Sequence, residues 1–157
     1  MRHSASTVYL VSCVSKKLLR RARARDLYTS TWFVKARAYV ERTGSPWFIL
    51  SAKHGLVSPD QVLSPYELTL NAMSTTQRRA WAERVRAQME KSLPATEQIV
   101  ILAGSRYREF LIDYLRQRTR TVRIPMRGRG IGSQLQYLTK ALAKRRRRGG
   151  LLRDRGT

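Results

Sequence analysis

Ten carboxylates stand among thirty-two lysines and arginines in this chain of 157 residues, joined by two histidines and one cysteine. With so few groups able to move a proton or attack a bond, each can be sorted by its neighbours. Glu41, Glu83, Glu90, Glu109 and Asp113 fall on polar faces of helical patterns, where solvation or pairing with a nearby arginine is expected. Glu97 reads as a loop residue, and Asp154 sits in the terminal segment. Asp26, Asp60 and Glu67 remain, each near the end of an apolar run. Asp26 lies within a stretch of arginines that should hold it ionised at neutral pH; its alternative role is a salt-bridging or capping aspartate. His54, preceded by Lys53 in Ser-Ala-Lys-His-Gly, reads either as a structural histidine or as an acid–base group. Cys13 adjoins a run that should be buried, which favours small core filler over nucleophile. No Cys or His cluster has ligand spacing, so neither a metal nor another cofactor is expected.

Four apolar runs would position these groups: residues 7–14 (TVYLVSCV), 46–52 (PWFILSA), 99–104 (IVILAG) and 121–126 (TVRIPM). The first three are nearly continuous, as suits strands buried on both faces. Helical stripes separate them. Phe33, Ala36 and Val40 mark one; Trp81, Val85 and Met89 mark a second, opened by Ser74 as N-cap. Tyr107, Phe110, Leu111, Tyr114 and Leu115 form a third, and Ile131, Leu135, Leu138 and Leu142 a fourth. The alternation predicts one three-layer α/β domain over residues 1–143, with a four-stranded parallel sheet flanked by helices. Residues 144–157 open with KRRRR and are expected to be a disordered basic tail.

Ligands of an open parallel sheet gather beyond the carboxyl ends of its strands. Each of the four runs ends in polar, small or basic residues: Ser15, Lys16 and Lys17; Ser51, Lys53 and His54; Gly104, Ser105 and Arg106; Arg127, Gly128, Arg129 and Gly130. Glycines at 128, 130 and 132 before a helix resemble a phosphate-cradling turn, best used on a DNA backbone. The dinucleotide fingerprint that would follow a first strand is absent.

The formal charge of +22 costs stability through self-repulsion, and a polyanionic partner is the simplest reason to tolerate it. Nucleic acid is that partner, an anionic membrane surface or acidic protein being the rivals. The same repulsion favours a monomer. One cysteine excludes an intrachain disulfide and points to a reducing cytoplasm. No apolar run reaches the ~18 residues of a membrane span, and the N-terminus is unlike a signal peptide.

Four segments carry a resemblance: Cys13-x-Ser15-x-Lys17, Asp26-Leu27-Tyr28-x-Ser30, the ten residues 47–56 (WFILSAKHGL), and Pro65-Tyr66-Glu67-x-Thr69-Leu70. Over roughly residues 7 to 140 the chain resembles a small bacterial and phage family long labelled as a domain of unknown function. Its members include anti-phage DNA glycosylases that remove glucosylated hydroxymethylcytosine from phage DNA. The α/β layout is also similar to the uracil-DNA-glycosylase superfamily, although the Gly-Gln-Asp-Pro-Tyr element is absent and the loop at 125–132 lacks His. Arg127 or Arg129 would take over the DNA-wedging or phosphate role there.

The resemblance implies hydrolysis of an N-glycosidic bond, which needs an anion near C1′, a positioned water, a donor to the leaving base and a flipped nucleotide. Asp26 takes the anion and water role in this reading, and His54, with Lys53 behind it, stabilises the base. Tyr28 or Tyr66 stacks on the base, Ser15, Lys17 and Ser51 hold phosphate or a base substituent, and Ser30, Tyr66 and Glu67 contact a base-borne sugar. Lys16, Arg20, Arg21, Arg106, Arg127, Arg129, Lys144 and Arg145 grip the DNA backbone. A non-catalytic nucleic-acid module and a nuclease are the alternatives.

Overall fold

The computed structural model describes residues 6–13 and 16–153, with side chains as far as residue 144. In chain order the elements are β1 (Thr7–Ser12), β2 (Ala22–Arg23), α1 (Ala24–Leu27), α2 (Thr31–Thr43), β3 (Trp47–Ser51), β4 (Gly55–Val57), β5 (Val62–Leu63), a 3₁₀ turn (Leu70–Ala72), α3 (Thr75–Ser92), β6 (Gln98–Leu102), α4 (Ser105–Arg108), α5 (Ile112–Arg118), β7 (Thr121–Arg123) and α6 (Ile131–Arg153).

The main sheet runs β4-β3-β1-β6-β7, and four of its strands are the four apolar runs, all parallel where they meet. Inner placement explains the unbroken hydrophobicity of β1, β3 and β6: Leu10, Val11, Ile49, Leu50 and the whole of Ile99–Leu102 are buried, while β7 lies at the edge. Each large apolar side chain buried in this way contributes roughly 1.5–3 kcal/mol, which offsets the self-repulsion of the charge.

The sheet has five strands, not the expected four. The fifth, β4, folds back antiparallel on β3, pairing Leu56 with Leu50 and Gly55 with Ser51. Gly55 makes this reversal possible at φ +74°, where a Cβ would also overlap the Gln88 side-chain amide. Three residues are too few to display a strand period, so the sequence pattern could not announce β4.

Ser30 caps α2 by accepting from the Phe33 backbone N–H at 3.1 Å, and Gly44 ends it at φ 71°. Ser74 and Gln77 form a reciprocal capping box on α3, which buries Trp81, Val85 and Met89 as their spacing predicts. The stripe from Tyr107 to Leu115 does not form one helix. It breaks between α4 and α5, where the Leu111 N–H reaches back only three residues to the Arg108 carbonyl. Apolar spacing reports the shared face and is blind to that lapse in the hydrogen-bond ladder.

Helix α2 docks on α6 through Trp32 to Gln134 (2.9 Å), Lys35 to Thr139 (2.9 Å) and Arg42 to the Leu142 carbonyl (2.9 Å). The expected tail at 144–157 falls mostly outside the described side chains. Among the described residues no helix is long and apolar enough to cross a membrane.

Candidate functional site

Where β1 and β6 end, the chain leaves a cavity of about 750 Å³, a size typical of ligand sites. Ser12 and Cys13 line it from the end of β1, and Gly104, Ser105, Arg106 and Tyr107 from the turn into α4. Glu67, Thr69 and Asn71 line it from the segment after β5, and Trp32, Ile131 and Gln134 from α2 and α6. The Trp32 indole is fixed by its 2.9 Å bond to the Gln134 amide oxygen. Among the described residues Glu67 is the lining's one carboxylate, with Lys17 and Arg106 as its cations.

A chain of hydroxyls and one thiol lies beside this cavity. The Tyr66 hydroxyl is 2.7 Å from that of Tyr28 and 2.6 Å from Ser51 Oγ. Cys13 Sγ stands 3.7 Å from both the Tyr66 and Tyr107 hydroxyls. Tyr107 also accepts from the Leu70 N–H at 3.5 Å, tying the segment that carries Glu67 and Thr69 to the end of β6. Burial pushes the Tyr28 phenol up to about 12 and raises Tyr66 and Tyr107 as well, so all three stay protonated and can donate.

Three cationic or titratable groups surround the Tyr66 ring. Lys17 Nζ lies 4.5 Å from its centroid, Lys53 Nζ 6.0 Å, and the His54 ring meets it edge-on at 5.5 Å. Burial lowers the Lys17 ammonium below its usual range, against the opposing pull of the Cys13 and Glu67 charges. Burial also lowers His54, with the Lys53 and Arg84 charges adding to it. The turn that carries Lys53 and His54 is pinned to α3: Gln88 donates to the His54 carbonyl (3.0 Å) and accepts from Leu56 N–H (2.8 Å), while Arg84 donates to the Lys53 carbonyl (2.9 Å).

The expected site residues divide. Lys17, Glu67 and Arg106 reach the cavity. Lys53 and His54 reach the Tyr66 ring without lining the cavity. Asp26 does neither. Ala24 and Leu27 fill the buried side of α1, which turns Asp26 outward to pair with Arg37 at 2.7 Å. Arg25 with Asp60 (2.6 Å) and Arg37 with Glu41 (2.7 Å) complete an exposed ion-pair cluster. Ser51 is fully buried and Tyr28 almost so, and the hydroxyls of both bond to that of Tyr66. Ser30 is occupied as a helix cap. Lys16, Arg20, Arg21 and Arg127 are exposed, while Arg129 and Lys144 line a separate groove. Ser15 and the Arg145 side chain lie outside the described residues.

Trp32, Asn71 and Gln134 are lining residues that no sequence signal marked, whereas Tyr107 follows the third apolar run directly. Trp32 and Tyr107 are nearly buried, at 6% and 7% exposure, and line the cavity by an edge. Among the described residues no group of three or more His, Cys, Asp or Glu side chains could hold a metal ion.

Residues 8–140, a span that includes every lining residue of the cavity, match the model of a family described as "Family of unknown function (DUF6884)". The chain belongs to this family. It is also 31% identical over 126 residues to "Uncharacterized protein YfjM" of Bacillus subtilis strain 168, covering 78% of this chain and 82% of that protein. No solved structure matches it.

Proposed function

We propose that this DUF6884 protein is a DNA glycosylase, a cytoplasmic monomer that excises a glucosylated-hydroxymethylcytosine-type base from phage DNA and leaves an abasic site. One observation carries the reading: a cavity large enough for a base and its sugar, edged by Trp32 and Tyr107, with a single carboxylate among cations. The choice of base rests on the resemblance of the motifs at 13–17, 26–30, 47–56 and 65–70.

The anion role expected of Asp26 passes to Glu67, the carboxylate that reaches the cavity. As the C1′–N bond breaks, its electron pair leaves with the base and positive charge develops on the sugar. Glu67 stabilises that charge, and a water oxygen bonds to C1′ while its proton passes to Glu67. Thr69, Asn71, Ser105 and Gln134 supply hydroxyls and amides for a sugar on the base. Lys17 and Arg106 hold the flanking phosphates. A further feature supports flipping: Leu19 is fully exposed between Lys16-Lys17 and Arg20-Arg21. An apolar side chain in a basic loop beside the cavity suits a wedge that fills the space left by an extruded base.

The half-buried Lys17, whose ammonium partial burial lowers and which lines the cavity, favours a second course. Its neutral amine attacks C1′, the base departs with its electron pair, and ring opening leaves a protonated imine between Nζ and C1′. Incubation with unmodified and glucosylated-hydroxymethylcytosine phage DNA, with or without EDTA, tests both. Released modified base with matching abasic sites, insensitive to EDTA, is the expected result. Trapping of a protein–DNA adduct by borohydride selects the amine course. Tight binding with no released base overturns the glycosylase reading in favour of a binding module, and EDTA-sensitive strand cleavage overturns it in favour of a nuclease.

A further inference from the structure

Further along α6 from Gln134 lies a second concavity, of about 400 Å³, that shares no lining residue with the cavity. Tyr39 of α2 and Tyr137 of α6 form its aromatic part, and Arg129, Lys140 and Lys144 its charged part. Among the described residues its lining contains no carboxylate. Both tyrosines are half-buried and held in place: Tyr137 is hydrogen-bonded to Tyr39, which packs edge-on against Tyr9 at 6.1 Å. The Arg129 guanidinium lies 5.2 Å from the Tyr137 ring centroid, and Arg123 adds a further positive charge nearby. Lys140 and Lys144 are one helical turn apart, about 6 Å along α6, a spacing that adjacent phosphates of one strand can meet.

We infer that this groove is a second nucleotide subsite, which stacks an unpaired base of a DNA strand on the Tyr137–Arg129 platform and takes its phosphates on Lys140 and Lys144. Cations alone would suit any polyanion. Fixed rings topped by a guanidinium add a flat surface that nucleobases use and acidic peptides do not. A base reaches such a platform with its face only when unpaired, which selects a single strand over a duplex. The preference for DNA rests on the glycosylase reading. The stacking subsite itself does not, because it is tested by binding to unmodified oligonucleotide with no base released.

The experiment is fluorescence anisotropy of the full chain with a labelled oligothymidylate, the matching duplex and the matching RNA, over a range of salt. Tyr137→Leu should weaken single-strand binding about tenfold with an unchanged salt slope, and leave duplex binding within twofold. The pair Lys140→Gln and Lys144→Gln should lower the single-strand salt slope by about 1.4, the release expected from two phosphate contacts. Tyr137→Trp should keep the affinity. If Tyr137→Leu proves unfolded by circular dichroism, Arg129→Gln, at an exposed position, should still weaken single-strand binding severalfold. Unchanged single-strand affinity in a folded variant, or equal loss on duplex, overturns the subsite. Tighter RNA binding overturns the assignment to DNA, and competition by polyglutamate as effective as by the oligonucleotide overturns the assignment to nucleic acid. Base release in the glycosylase assay is read separately, so either proposal can fail alone.

Discussion

The cavity at the strand ends and the groove beside Tyr137 both combine aromatic rings with cations, yet among the described residues only the cavity holds a carboxylate and a buried network beside it. Glu67 sits on a segment that Tyr107 ties down through Leu70, and Tyr107 is in turn linked through Cys13 and Tyr66 to Tyr28 and Ser51. A reacting group needs such support, because small displacements at a bond-breaking centre cost rate. The groove has rings on two helices and exposed cations on α6 and the turn before it, an arrangement suited to affinity. The difference separates a place for chemistry from a place for holding the strand.

Substitutions that attack one region and spare the other test that separation. The largest effect is expected from Glu67→Gln, which should cut base release about 100- to 1,000-fold while oligonucleotide affinity in the groove stays within twofold. Single-turnover base release and anisotropy on the same preparations check it; equal losses in both would merge the two regions.

Tyr66→Phe should come next. It strips the shared partner from the Tyr28 and Ser51 hydroxyls, both buried, and should cost about 1–3 kcal/mol in urea unfolding. It should also loosen the cavity, lowering base release more than binding. A stability change within error would mean that the network is not a support.

A smaller effect concerns pH. The folded His54 is lowered from its usual 6.5, so on acidification the unfolded chain takes up this proton first. Stability is therefore complete above the unfolded value and declines as pH falls below about 6.5, until the folded histidine also titrates. His54→Gln should flatten that part of the curve when urea midpoints are compared between about pH 7 and 5. An unchanged slope would remove His54 as its source.

The smallest effect is expected at Asp26→Asn. An exposed ion pair with Arg37 contributes about 0–1 kcal/mol, and base release should stay within twofold of the parent. Loss of turnover with DNA binding intact would return the catalytic role to Asp26 and move the centre of chemistry to the outer face of α1.

Local pattern carried much of the architecture. The runs at 7–14, 46–52 and 99–104 read as strands because burial on both faces demands unbroken apolar residues, and they became β1, β3 and β6. Ser74 announced the start of α3 because capping is a matter of neighbouring residues. The rule that ligands gather beyond strand ends pointed to Lys17 and Arg106, and both line the cavity because each follows its strand within a few residues. What the sequence could not decide is which way a side chain turns once elements pack. Asp26 and Glu67 looked alike as acids near strand ends, but burial of Ala24 and Leu27 rotated one to the surface, while a contact between Leu70 and Tyr107, thirty-seven positions apart, held the other's segment at the cavity. Trp32 meets Gln134 across 102 positions, and Tyr39 meets Tyr137 only because α2 docks on α6. Such pairs have no local signature: composition and period set the elements, and only their packing decides which distant side chains share a site.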